Sequence, residues 1–234
     1  MILRDREIIA TVARLQRRIG ERFPTSGLYL LCGQLLDVSR QASQRAHWIE
    51  KPIRSLRYVG YGLTVLLVVS ALLLVYFTFE KAKLDDDAAK PSNLFPLVES
   101  ISNEAVLLGA AIYFLFSLEK RIKRQRALAA IHELRSIAHI IDMHQLTKDP
   151  ERMFRKWENT PTSPQIQMSP LQLNRYLDYC TEMLSLTGKI AALYVQRFDD
   201  ATSLAAVSEI EELTTSLSRK IWQKIMILEN RQAE

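Results

Sequence analysis

From Tyr58 to Phe79 the chain reads YVGYGLTVLLVVSALLLVYFTF, without a single charged residue. As a helix these roughly 22 residues cover about 33 Å, against a hydrocarbon core of about 30 Å. A stripe of apolar positions can pack against a soluble core. A helix that is apolar on every side over this length needs an apolar solvent around it. Aromatic side chains gather towards the two ends, at Tyr58, Tyr61, Tyr76, Phe77 and Phe79, where amphipathic rings favour the headgroup level. The stretch is therefore expected to cross a membrane.

The remainder of the 234 residues looks quite different. Overall content is 48% hydrophobic and 24% charged, values that suit a soluble protein and conceal the segregation of charge away from residues 58–79. No secretory leader is expected, because this first long apolar run follows dozens of charged residues, so the span should act as its own targeting signal.

A second candidate span, 101–118, reads ISNEAVLLGAAIYFLFSL and is free of charge only from Ala105 onward. Its flanks supply the rest of the argument. Arg40, Arg45, Lys51, Arg54 and Arg57 precede the first span, and Lys120, Arg121, Lys123, Arg124 and Arg126 follow the second. The intervening segment holds Asp85, Asp86 and Asp87 and has more acids than lysines. By the positive-inside rule both flanks are cytoplasmic and the loop lies outside. Pro91 and Pro96, with Ser92 and Asn93, mark that loop as irregular.

The expected fold class is an all-α membrane protein, a two-helix transmembrane hairpin with a cytoplasmic helical bundle formed by both terminal segments. Its parts are cytoplasmic amphipathic helices over 1–57, transmembrane helices at 58–79 and 101–118 about an external acidic loop at 80–100, a stalk helix at 119–146, a proline-containing loop at 147–170 and a helical hairpin at 171–234. The location this implies is the plasma (inner) membrane, multi-pass, with both termini cytoplasmic.

Two sets of residues are candidates for function. Glu99, Asn103, Ala110, Tyr113 and Ser117 fall on one face of the second span, with Glu104 beside it and Gly109 forming a small-xxx-small pair with Ala105. Such a face serves packing between helices or subunits. Alternatively, in a ring of subunits, it would place carboxylates at the outer mouth of a pore and Tyr113 at a constriction. The second set, Arg54, Arg57, Lys120, Arg121, Lys123 and Arg124, is a basic flank expected to face anionic lipid.

Outside the spans, apolar residues recur at helical spacing. Ile8, Val12, Leu15 and Ile19 define one amphipathic helix; after Pro24, Thr25 and Ser26 a second carries Leu28, Leu31, Leu35, Val38 and Ala42. Basic residues beyond the second span continue into Leu128, Ile131, Leu134, Ile137, Ala138 and Ile141, which predicts one helix running on without a break. Four prolines interrupt 147–170. Two further stripes follow, Leu173, Leu177, Cys180, Leu184, Thr187, Ala191, Tyr194 and Phe198, then Leu204, Val207, Ile210, Leu213, Leu217, Ile221, Ile225 and Leu228. The face around Tyr176 is too wide for one neighbour, so a bundle, self-association or both are required.

Chemistry has little foothold. Cys32 and Cys180 are two isolated cysteines without CxxC or Cys/His pairing. His132 and His139 share a face about 10 Å apart along the axis, too far for one ion, and His139 with Asp142 is only a pair. There is no Walker loop, GxGxxG, GxSxG or HExxH motif, and only seven glycines. No enzyme activity, cofactor or metal is expected. The net charge of +5 sits beside the spans, where lipid explains it without nucleic acid. The expected role is a non-enzymatic, self-associating integral membrane protein whose cytoplasmic bundle senses or binds a protein partner; the alternative is an oligomeric ion-conducting pore gated through that bundle. The expected partners are membrane lipid, further copies of the chain and a cytoplasmic protein.

Overall fold

The computed structural model describes residues 3–84, 91–154, 160–163 and 167–233. Seven helices follow one another: α1 Asp5–Arg22, α2 Gly27–Glu50, α3 Arg54–Leu84, α4 Pro91–Leu146, α5 Glu151–Phe154, α6 Pro170–Ala192 and α7 Ala201–Ala233. The protein is all-helical, with no strand among the described residues. It divides into two compact units, the first made of Met1–Glu50 and Arg124–Glu234, the second of Lys51–Lys123.

The first unit is a bundle of amphipathic helices around a closed core. Ile8, Val12, Leu15 and Ile19 on α1 are buried, as are Leu28, Leu31, Leu35, Val38 and Ala42 on α2. They meet Leu134 and Ile141 of α4, Leu177 and Met183 of α6, and Ile210, Ile221 and Leu228 of α7 in one hydrophobic cluster. The period of 3.6 residues puts each stripe on one side of its helix, and together the stripes remove the apolar surface from water at about 25 cal/mol for each Å². Phe23, at the end of α1, packs edge-to-face on Tyr176 and Tyr179, with ring centroids 5.5 and 6.3 Å away.

Helix ends in this unit are tied down by local chemistry. The Ser26 hydroxyl accepts from the Tyr29 amide at 3.2 Å. Ser169 and Gln172 form a reciprocal capping box at the start of α6, where Pro170 holds the first helical position. Asp200 accepts from the Ser203 amide at 3.0 Å and its hydroxyl at 2.9 Å, just before α7 begins. At the opposite end of α4, the Lys224 ammonium donates to the carbonyls of Gln145 and Lys148 at 2.8 and 3.3 Å. A lysine from α7 thus satisfies carbonyls that the end of α4 leaves without helical partners.

The second unit contains α3 and the leading part of α4. Ile53 and Arg57 approach Glu119, and Tyr61 packs against Phe116 at 5.8 Å, so the two helices run antiparallel along this contact. Among the described residues one helical stretch is long and apolar enough to cross a membrane; it falls within α3, and none of that window is buried in the protein. Leu66 and Leu72 are each 64% exposed and Phe77 is 61% exposed. Within the second candidate span, 101–118, the side chains of Ile101 and Glu104 lie outside the described residues.

The irregular loop expected at 80–100 needs correction. Helix α3 continues through Leu84, and α4 already begins at Pro91. At the first helical position proline gives up an N–H that would have no helical partner, and its fixed φ suits the helix. Pro96 removes one further backbone bond near that end, which the longer helix tolerates. Asp85, Asp86 and Asp87 lie outside the described residues, as do the side chains of Pro91 to Val98. Elsewhere α4 ends at Leu146, where the stalk helix was expected to end, α6 stops at Ala192 short of the Tyr194 and Phe198 positions of its expected stripe, and the proline-containing segment includes the single-turn α5.

Candidate functional site

On the face of α4 singled out by the sequence, most of the described residues are exposed. Glu99, Asn103, Gly109, Ala110 and Tyr113 are exposed, and Tyr113 is exposed to 73%. Ser117 is half-buried and turns its hydroxyl to the Phe114 carbonyl at 3.0 Å, which satisfies it within the helix. The Glu104 side chain lies outside the described residues. A Cβ built on Gly109 meets nothing within 4 Å. Among the described residues, no close backbone approach is made at Gly109.

The basic flank is reorganised by acids that looked minor in the sequence. Glu119 gathers three donors: Arg57 Nε at 2.7 Å, Lys123 Nζ at 2.8 Å and the Ile53 amide at 3.2 Å. Partial burial pushes the Glu119 carboxyl up, but those hydrogen bonds outweigh it and hold its pKa at about 2. Lys123 is buried although it carries a charge, an arrangement that requires such a partner. Arg124 binds Asp200 at 2.6 to 3.0 Å, with the carboxylate side chain wholly out of solvent. Arg121 lies over the Phe114 ring at 5.3 Å, and Arg126 over Trp48 at 4.0 Å. Arg54 and Lys120 are exposed. Within the basic flank, then, Arg57, Lys123 and Arg124 are committed to carboxylates inside the protein.

Between α3 and α4, within the second unit, this cluster adjoins a cleft of about 280 Å³. Gly60, Thr64, Leu115 and Phe116 form its walls, and Arg57 and Glu119 its polar end. Gly60 leaves the wall open, since a Cβ there would meet nothing within 4 Å. Thr64 adds no free polarity: its hydroxyl donates to the Gly60 carbonyl at 2.8 Å.

Sequence reasoning assigned no role to Glu119 or Asp200. Two local signals mark them. Glu119 stands four residues before Lys123, the helical spacing for an ion pair, and Asp200 stands three before Ser203 at a helix start. Burial pushes the thiols of Cys32 and Cys180 up to about 12, which keeps them protonated and poor nucleophiles. His132 and His139 are exposed, while His144 is half-buried. Among the described residues no group of three His, Cys, Asp or Glu side chains could hold a metal ion. Comparisons with known protein families, curated proteins and solved structures find no match.

Proposed function

We propose that this chain is an integral membrane protein, non-enzymatic and self-associating, in which α3 and the 101–118 part of α4 form a transmembrane hairpin and the helical bundle binds or senses a protein partner in the cytoplasm. The observation that carries the reading is the outward-facing apolar surface of α3. At about 25 cal/mol per Å², that much apolar surface is costly in water and costs nothing in lipid. Basic residues at both ends of the pair set the orientation, with both termini on the cytoplasmic side of the inner membrane. Self-association is supported by the α4 face around Gly109 and Tyr113, which is exposed among the described residues.

The test is extraction from membranes. The full chain should stay in the pellet through alkaline carbonate and dissolve only in detergent, and reporter fusions at residues 85–93 should report the side opposite to fusions at either terminus. Release by carbonate alone removes the membrane reading. A second reading, an ion-conducting ring, draws on the exposure of Glu99, Asn103 and Tyr113 along one helical face. A single-channel current from the reconstituted protein that Tyr113→Trp abolishes, with oligomer mass intact, would put the pore ahead.

A further inference from the structure

We propose that the cleft between α3 and α4 is a binding site for one acidic phospholipid, whose acyl chain lies along Gly60 and whose phosphate meets Arg57. This deepens the membrane reading and rests on it. At about 280 Å³ the cleft is far larger than the roughly 30 Å³ share of a single water. Leu56, Gly60, Leu115 and Phe116 supply an apolar wall, polar surface makes up about half of the lining, and the Thr64 hydroxyl is already bonded within its own helix. In a bilayer the solvent beside the apolar wall is a lipid chain, while the polar half suits a headgroup.

The polar end selects the headgroup. Glu119 already accepts from Arg57, Lys123 and the Ile53 amide, so it offers no place to an added cation. Arg57 meets Glu119 through Nε, and its terminal Nη atoms make no hydrogen bond among the described residues. Two cations against one carboxylate leave a net positive charge beside a half-exposed guanidinium, the complement of a phosphate. Exposed Arg54, one turn earlier on α3, adds to the same potential. An acidic headgroup with an apolar tail satisfies both ends of the cleft, whereas a second protein helix would satisfy only the walls.

Two glycines make the test specific. Gly60 lines the cleft and Gly62 does not, yet a Cβ at either meets nothing within 4 Å, so both accept a larger side chain without a clash. The full chain would be purified with an equimolar mixture of phosphatidylglycerol and phosphatidylcholine, and the retained lipid counted by native mass spectrometry. The wild type should retain phosphatidylglycerol in about fivefold preference, the scale of one basic contact at a membrane surface. Gly60→Leu should expel the bound lipid, Gly62→Leu should keep it, and Arg57→Gln should abolish the headgroup preference. Equal retention of the two lipids by the wild type, or equal loss in both leucine variants, overturns the proposal. Loss of oligomer mass in Gly60→Leu with lipid retained would assign the cleft to a second copy instead. Carbonate extraction, run in parallel, separates failure of this site from failure of the membrane reading.

Discussion

The two units use the same aliphatic side chains in opposite ways. Ile221 of α7 is wholly buried and Leu66 of α3 is 64% exposed, although both sit in the interior of long helices. What differs is the pattern around them. On α7 apolar residues form one stripe with acids and lysines elsewhere, so the helix has a single side to hide. On α3 nearly every side is apolar, and none of its apolar window is buried among the described residues. The treatment of charge differs as well. In the bundle, charge fastens helix ends, as Asp200 and Lys224 do. In the second unit, a carboxylate instead draws in the basic residues beside the apolar stretch.

The sharpest break in this comparison is deletion of volume on either side of it. Leu134, fully buried between the helices of the bundle, should lose about 2–5 kcal/mol of stability on conversion to alanine through lost transfer energy and a residual cavity. Leu66→Ala on α3 should change stability by less than about 0.5 kcal/mol, because its side chain is 64% exposed. Denaturant unfolding in detergent measures both. Equal losses would mean that α3 is covered by protein in the assembled molecule.

Next in size is the start of α7. Asp200→Ala should cost the bundle about 1–2 kcal/mol from the cap alone, with a further loss from stranding Arg124, which binds the same carboxylate. Asp200→Asn keeps the acceptor for Ser203 but not the charge, and should fall between wild type and alanine. Should asparagine prove as damaging as alanine, the ion pair outweighs the cap.

Much of the bundle was readable because its amphipathic stripes obey one period and Pro24, Pro150 and Pro170 punctuate them. The buried positions of α1 are the ones its spacing predicts. The 80–100 segment misled because proline was weighed as a helix breaker, whereas Pro91 occupies a first turn, where its defects cost little. The site was less legible. A count of flanking charges gives a net sign, but Glu119 lies on a different helix from Arg57, and only their antiparallel contact turns the count into a closed cluster. The face around Tyr113 was legible as a helical register, while its occupant is not encoded in the register at all.

Acid should weaken the bundle at one identifiable corner. The His144 ring lies against Gly27, where a Cβ would come within 2.5 Å of Cε1, so glycine is what admits the ring to the start of α2. Burial and then Lys148 hold its pKa below the ordinary 6.5. The folded state prefers the neutral imidazole. This contribution is complete above about pH 6.5 and is lost as pH falls through the lowered folded value. Between pH about 7.5 and 5.5 the unfolding midpoint of the wild type should drop further than that of His144→Gln. Parallel slopes would place the acid sensitivity elsewhere.

The smallest effect on stability should come from Gly109→Leu, and it carries the most information about the uncovered face. Since a Cβ at Gly109 meets nothing within 4 Å, a leucine there displaces no packing inside the chain, and unfolding of the monomeric unit should move by less than about 0.5 kcal/mol. Assembly is a separate matter. Small residues let two helices approach closely, and a leucine at the contact holds the backbones apart. If copies of the chain meet on this face, the substitution lowers oligomer mass in detergent or nanodiscs while Leu108→Ile leaves it intact. A face given over to lipid would tolerate both changes equally, because one more aliphatic side chain in hydrocarbon alters nothing. An oligomer unchanged by Gly109→Leu therefore moves self-association away from this face of α4, and the exposed apolar surface of the second unit then belongs to the bilayer alone.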